Sequence, residues 1–316
     1  MVSLSEVRAA NAQLVKCSPG GVYVFVGATS GIGENALRKF ARLAAKPRVY
    51  IVGRNLVVGE SLLRDLRESN PDGEFIFIHT DISLVKDAED VCAEIASKET
   101  RLDLLFLSAG YFPWDGRQDT VEGLDAAMAT RYYTRILLAK RLARLLEASP
   151  AGRVVSVLYA TGSTRLVETD LGLESPENYS MMKAGVGTAT MNSLALHHLA
   201  TLHPRVSFVH TYPGVVRTKG WANGGRSFVG LVVKYVLAPL TWPFALSVDE
   251  AGDRALYTTI SEQNRVDGSG ASQVILVNWN NDTVQPDRLT REYMTSEMLG
   301  KVWDHTEATL KSILEK

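Results

Sequence analysis

Cysteine is almost absent: the 316 residues include two, Cys17 and Cys92. Neither their number nor their separation suits a disulfide framework or a cysteine-based metal site, which excludes a stapled secreted scaffold and a zinc module. Both are expected to be buried free thiols, and no metal is expected. Excess charge of either sign is absent as well. Lys and Arg total 34 against 35 Asp and Glu, a formal net charge of −1, and the basic residues are spread along the chain. The chain as a whole is therefore drawn neither to nucleic acid nor to an anionic membrane. The first residues, MVSLSEVRAANAQL, are polar and helical in pattern and carry no apolar signal-peptide core, so a cytoplasmic, reducing compartment is expected. No internal repeat, low-complexity tract or Pro/Gly/Ser linker divides the chain.

Long hydrophobic runs are scarce, with one exception. Residues 228–246, FVGLVVKYVLAPLTWPFAL, approach the length of a membrane span but are interrupted by Lys234, Pro239 and Pro243. Three readings compete: a buried or substrate-covering helix, an interfacial membrane anchor, and a true span. The place of the run deep inside a soluble fold favours the first, with Trp221 and Trp242 near its ends, over contact with a membrane surface.

What is present is an alternation of short apolar, β-branched runs with longer amphipathic ones. Strands are predicted at 22–26, 49–52, 75–79, 104–107, 154–158, 206–211 and 274–277, and helices at 33–44, 57–68, 85–97, 123–147 and 180–199. The strand runs are continuous rather than alternating, as expected where helices cover both faces of a parallel sheet. This pattern predicts an α/β fold, a single doubly wound Rossmann domain with a seven-stranded, mostly parallel sheet. That domain spans 1–316, with a core at about 21–280, helical extensions at 1–20 and 283–316, and a substrate lid at about 219–247.

The strongest local signal is GATSGIG, from Gly27 through Thr29, Ser30, Gly31 and Ile32 to Gly33, set between the VYVFV strand and the helix ENALRKFARLAA. Unpaired N–H groups and the helix dipole at such a turn hold a pyrophosphate, and glycines let the backbone approach it. At the end of the second strand stand Gly53, Arg54 and Asn55, with no acidic residue to accept a ribose 2′-hydroxyl. Arg54 instead offers a fork of donors to a 2′-phosphate, so NADP is the cofactor expected.

The spacing G-x-x-x-G-x-G resembles that of the short-chain dehydrogenase/reductase superfamily, and the likeness runs from about Gly21 to about Gly270. It implies adenine contacts from Asp81 and Ile82. It implies a strand end at Ser108, Ala109 and Gly110 in place of the family's NNAG. It further implies cofactor contacts from the Pro213, Gly214, Val215 and Thr218 segment. YSMMK then supplies the family's Tyr179 and Lys183 at the start of a helix, where residues four apart share a face and the ammonium lowers the phenol pKa. Two positions depart from the family. Tyr159 stands where the catalytic Ser is usual, and Arg131 where an Asn holds a relay water. Losing such a donor typically costs ~10²–10³ in rate. Tyr159 is the candidate replacement donor, and Arg131 is expected either beside Lys183, tuning Tyr179 or holding a substrate anion, or in a surface ion pair.

The start SLSEVRAANAQL and the stretch from Phe25 to Asn55 also resemble fungal short-chain dehydrogenases of secondary metabolism. The resemblance implies NADPH-dependent reduction of a carbonyl or imine in a bulky apolar small molecule. It also implies self-association through the long helices before Leu146 and after Tyr179. A non-redox isomerase, cyclase or dehydratase that keeps NADP(H), or a non-catalytic NADP-binding protein, are the alternatives.

Overall fold

The computed structural model describes residues 1–13, 20–218, 228–266 and 274–316; Cys17, Trp221 and the rest of 219–227 lie outside the described residues. Among the described residues, eight strands form one sheet in the order β3-β2-β1-β4-β5-β6-β7-β8. They are β1 (Val22–Val26), β2 (Arg48–Gly53), β3 (Glu74–His79), β4 (Leu104–Leu107), β5 (Arg153–Val157), β6 (Ser207–Thr211), β7 (Ile275–Val277) and β8 (Thr283–Val284). The first seven run parallel, and β8 returns antiparallel to β7. The sheet thus has one strand more than the seven expected. β8 is two residues long, too short to leave a period-two pattern, and it follows a tight turn in which Asn281 takes φ 63°.

Strand order reverses between β1 and β4, which opens a crevice at the carboxyl ends of the strands. The helices are α1 (Leu4–Ala12), α2 (Gly31–Leu43), α3 (Leu56–Ser69), α4 (Val85–Lys98), α5 (Thr134–Glu147), α6 (Met181–Leu202), α7 (Val248–Ile260), α8 (Arg288–Met294) and α9 (Met298–Leu314). Side chains of a strand alternate between faces. Val24, Leu105, Val154 and Phe208 therefore join the core under α4, α5 and α6, while Phe25, Phe106, Val155 and Val209 join the core under α2, α3 and α7. Both faces being covered accounts for the unbroken apolar runs. Each large side chain so buried contributes roughly 1.5–3 kcal/mol. Cys92 sits in the first of these cores, where burial pushes its thiol up and makes it inert.

The terminal extensions dock on this frame. Arg8 of α1 pairs with Asp253 at 2.8 Å, and Asn11 donates to the Asp253 carbonyl at 2.9 Å. At the other end α9 lies across α6 and α4 and reaches Tyr132 and Tyr133, just before α5. The Tyr132 and Thr306 hydroxyls bond at 2.5 Å, the Tyr133 hydroxyl bonds His305 Nε2 at 2.8 Å, and the His198 and Trp303 rings stack at 4.2 Å.

His210 on β6 is fully buried; its Nδ1 bonds Ser193 Oγ at 2.8 Å and its Nε2 has no partner among the described residues. Burial, with Arg135 and Arg131 nearby, pushes its pKa from 6.5 down to about 3. The folded value lies below the unfolded one, so between them only the unfolded chain takes the proton. Stability is complete above pH 6.5 and falls as pH drops toward 3, by about 1.4 kcal/mol per pH unit from this group. Urea unfolding across that window should show the slope, and His210→Gln should remove that share of it. A slope unchanged in the variant would refute the assignment.

Candidate active site

The turn after β1 is shaped for close approach. Gly27 has φ 84°, and a Cβ there would stand 2.3 Å from Ala109 N; at Gly33 it would stand 2.3 Å from Ser108 Oγ and 2.9 Å from the Gly27 carbonyl. Thr29 closes on Gly53, and Gly31 faces the Thr218 methyl. Ser30 caps α2 without a side-chain hydrogen bond, so the first N–H groups of α2, at Gly31, Ile32 and Gly33, remain open to an anion. The chain thus fits the pyrophosphate that the glycine spacing predicts.

Arg54 is exposed at the end of β2 and makes no ion pair among the described residues. The Asn55 side chain is committed elsewhere: its Oδ1 caps α3 by accepting from Val58 N at 3.0 Å. Asp81 Oδ1 accepts from Ser83 N and Oγ at 3.0 and 2.8 Å, which orders the turn after β3, and Ile82 packs on the core. Ser108 Oγ donates to the Val26 and Gly27 carbonyls at 3.3 Å and ties β4 to the glycine turn. Gly110 and Pro213 follow β4 and β6, and Gly214, with φ 78°, brings the chain past Trp279. The Val215 carbonyl accepts from Leu246 N at 2.9 Å.

A π-helical turn, Ala129–Tyr133, precedes α5 and carries Arg131. Such turns concentrate at functional sites. Arg131 is not in a surface ion pair. Its Nε donates to Thr188 Oγ1 at 3.2 Å, its Nη2 to the Gly185 carbonyl at 2.8 Å, and its guanidinium lies 5.7 Å from the Phe112 ring centroid. Arg135, one turn on, is buried: Nη1 donates to Ser156 Oγ at 2.8 Å and to the Val157 carbonyl at 3.0 Å, and Nη2 to the Ala109 carbonyl. Neither has a carboxylate partner among the described residues. Burial lowers them to about 10 and about 9, so both stay charged at neutral pH beneath the ends of β4 and β5.

The phenols stand apart. Tyr159, just after β5, is 36% exposed and meets the Tyr212 ring edge to face at 5.0 Å. Tyr179 departs from expectation. The helix begins at Met181, with Ser180 as its cap, so Tyr179 precedes it and does not share a helical face with Lys183. Its hydroxyl lies 3.4 Å from Asp125 Oδ2, and burial together with that carboxylate pushes the phenol up, opposite to the lowering expected from Lys183. Lys183 instead lines a small pocket with Met128, Leu166, Leu171, Leu173 and Met191. The residues between Tyr159 and Tyr179 are held by the C-terminal extension. Ser163 Oγ donates to Asp287 at 2.6 Å, and Leu166 N donates to the Tyr293 hydroxyl at 3.1 Å.

Sequence reasoning missed Asp125, Phe112 and Arg135. Arg135 alone left a signal, its spacing of four from Arg131.

The chain matches the short chain dehydrogenase family over residues 21–226. It is 36% identical to an oxidoreductase of Emericella nidulans, with 100% of both chains covered. It is 34% identical to an oxidoreductase of Emericella variicolor, with 99% of this chain and 98% of that one covered. A solved short-chain dehydrogenase from Sphingobium yanoikuyae in complex with NADPH superposes with a TM-score of 0.57 at 19% identity, over 94% of this chain and 96% of that one, a likeness of fold. With an open glycine turn at the head of a doubly wound sheet and this match across most of its length, the chain belongs to the short-chain dehydrogenase family.

Proposed function

We propose that this protein is an NADP(H)-dependent reductase acting on a carbonyl or imine carbon of a bulky apolar small molecule, in fungal natural-product chemistry. The observation that carries the cofactor preference is Arg54, exposed and without an ion pair among the described residues at the end of a strand with no acidic residue. Its planar donors suit a 2′-phosphate, and the uncapped start of α2 suits the pyrophosphate. When bound, the cofactor supplies the hydride. The chain's own part is to hold the dinucleotide and deliver a proton from Tyr179, with Lys183 tuning it once the phenol leaves Asp125. Arg54→Ala should weaken NADPH by ~1.5–3 kcal/mol, the range for hydrogen bonds to a charged group. NADH affinity should hardly change. Equal affinity of the unaltered protein for the two cofactors would sink the proposal.

The position of Tyr179 against Asp125 favours a second reading, an isomerase, cyclase or dehydratase that keeps the dinucleotide as part of its pocket. Product formed without NADPH consumption selects it over the reductase. Dinucleotide binding with no turnover selects a non-catalytic role.

A further inference from the structure

The run 228–246 was expected to be buried or to cover substrate; in the structure Val233 and Ala245 are buried, but several of its large apolar side chains stand in water. It folds as the short helical pieces Phe228–Val232, Val233–Leu237, Ala238–Thr241 and Trp242–Phe244. Leu231 is 43% exposed, Tyr235 67%, Leu240 66%, Trp242 44% and Phe244 90%. Soluble proteins rarely leave so many large apolar side chains together in water. Among the described residues no helix is long and apolar enough to cross a membrane. The breaks at Pro239 and Pro243 fit a segment lying along an interface better than one spanning it.

Charge separates the candidate occupants. From Arg217 through Val248 the sequence contains Arg217, Lys219, Arg226 and Lys234 and no Asp or Glu, in a chain whose total charge is −1. A cover for an apolar substrate needs no such bias, and neither does an apolar contact between copies. An acid-free basic segment bearing Trp, Tyr and Phe is the composition of a surface that sits at the headgroups of anionic lipid. The segment is also fixed at the mouth of the crevice. Leu246 N donates to the Val215 carbonyl at 2.9 Å, and Arg217 N donates to the Leu246 carbonyl at 3.1 Å, so the exposed ridge ends where the Pro213–Thr218 wall begins.

We propose that the ridge from Leu231 to Phe244 docks the protein on an anionic lipid surface, placing the crevice mouth where an apolar substrate dissolved in that surface enters without crossing water. Docking is independent of whether the chemistry is redox.

The test is flotation of the full-length protein with vesicles of phosphatidylcholine alone and with phosphatidylserine added. The unaltered protein should bind the anionic vesicles at least about fivefold more tightly, the gain for one Lys or Arg at such a surface, and lose that preference as salt is raised. The variant Leu240→Ser/Trp242→Ser/Phe244→Ser should bind at least about tenfold more weakly, since its apolar contact is gone. NADPH titration of the same variant checks that it is folded. Failure of the unaltered protein to float with either vesicle overturns the proposal. So does equal flotation of the folded variant. A dimer that the variant dissolves, without vesicle binding, assigns the ridge to a second copy. That result also overturns docking.

Discussion

Tyr179→Phe is expected to fold, to bind NADPH as the unaltered protein does, and to lose at least ~10² in turnover, the usual contribution of a positioned proton donor. Folding should survive because the hydroxyl makes one long contact, 3.4 Å to Asp125. The structure makes this a sharper test than the sequence did. Burial and the neighbouring Asp125 carboxylate hold the phenol's proton more firmly than in a free tyrosine. In the mechanism proposed here the phenol leaves Asp125 before it donates its proton. Tyr159→Phe is the companion experiment. Tyr159 already stands at the strand ends, half-exposed against Tyr212. A loss there equal to that of Tyr179→Phe would make both phenols donors. A loss at Tyr159 alone would transfer the proton-donating role to it, and full activity of Tyr179→Phe would end the mechanism proposed here.

The second large effect is expected at Gly27. An Ala there must hold φ 84°, which costs roughly 1–2 kcal/mol for a residue with a side chain. Its Cβ would also stand 2.3 Å from the backbone nitrogen of Ala109, where no side chain can turn aside. The β1 and β4 ends must separate, which spoils the dinucleotide site along with the packing. Gly27→Ala should lower stability by ~2–4 kcal/mol, within the range of large single-site effects. NADPH affinity should fall by at least ~10². Gly31→Ala is the control: it carries similar strain at φ 62°, but among the described residues its Cβ comes no nearer than 3.4 Å to anything, at the Thr218 methyl. Equal losses in the two variants, read from urea midpoints and NADPH titration, would show that backbone strain rather than the approach to Ala109 is what matters.

The architecture was legible wherever the signal was local and long. The strands covered on both faces read as continuous apolar runs, and the glycine turn between VYVFV and its helix needed no distant partner to be seen. β8 was invisible because two residues carry no period. The π turn was invisible because it shifts hydrogen bonds by one residue without altering the apolar spacing. The candidate site was legible as a set of residues and illegible as an arrangement. Where the Tyr179 hydroxyl goes depends on Asp125, far away in sequence, whose carboxylate also caps the turn at Met128 at 2.9 Å. Arg131 was expected beside Lys183 or at the surface. Enclosure by Phe112, Gly185 and Thr188 rules out the surface ion pair, and the bonds to Gly185 and Thr188 form only when α6 packs against the π turn.

The docking of α9 on α6 and on the turn before α5 bears on assembly. The family likeness implied that copies of the chain would meet through α5 and α6. Here Tyr132, Tyr133 and His198 already spend their outward contacts on Thr306, His305 and Trp303 of the same chain. A tethered segment competes at an effective concentration on the order of millimolar, above what a second molecule in solution reaches. The tail therefore covers this face at any dilution, as a separate molecule would only when concentrated.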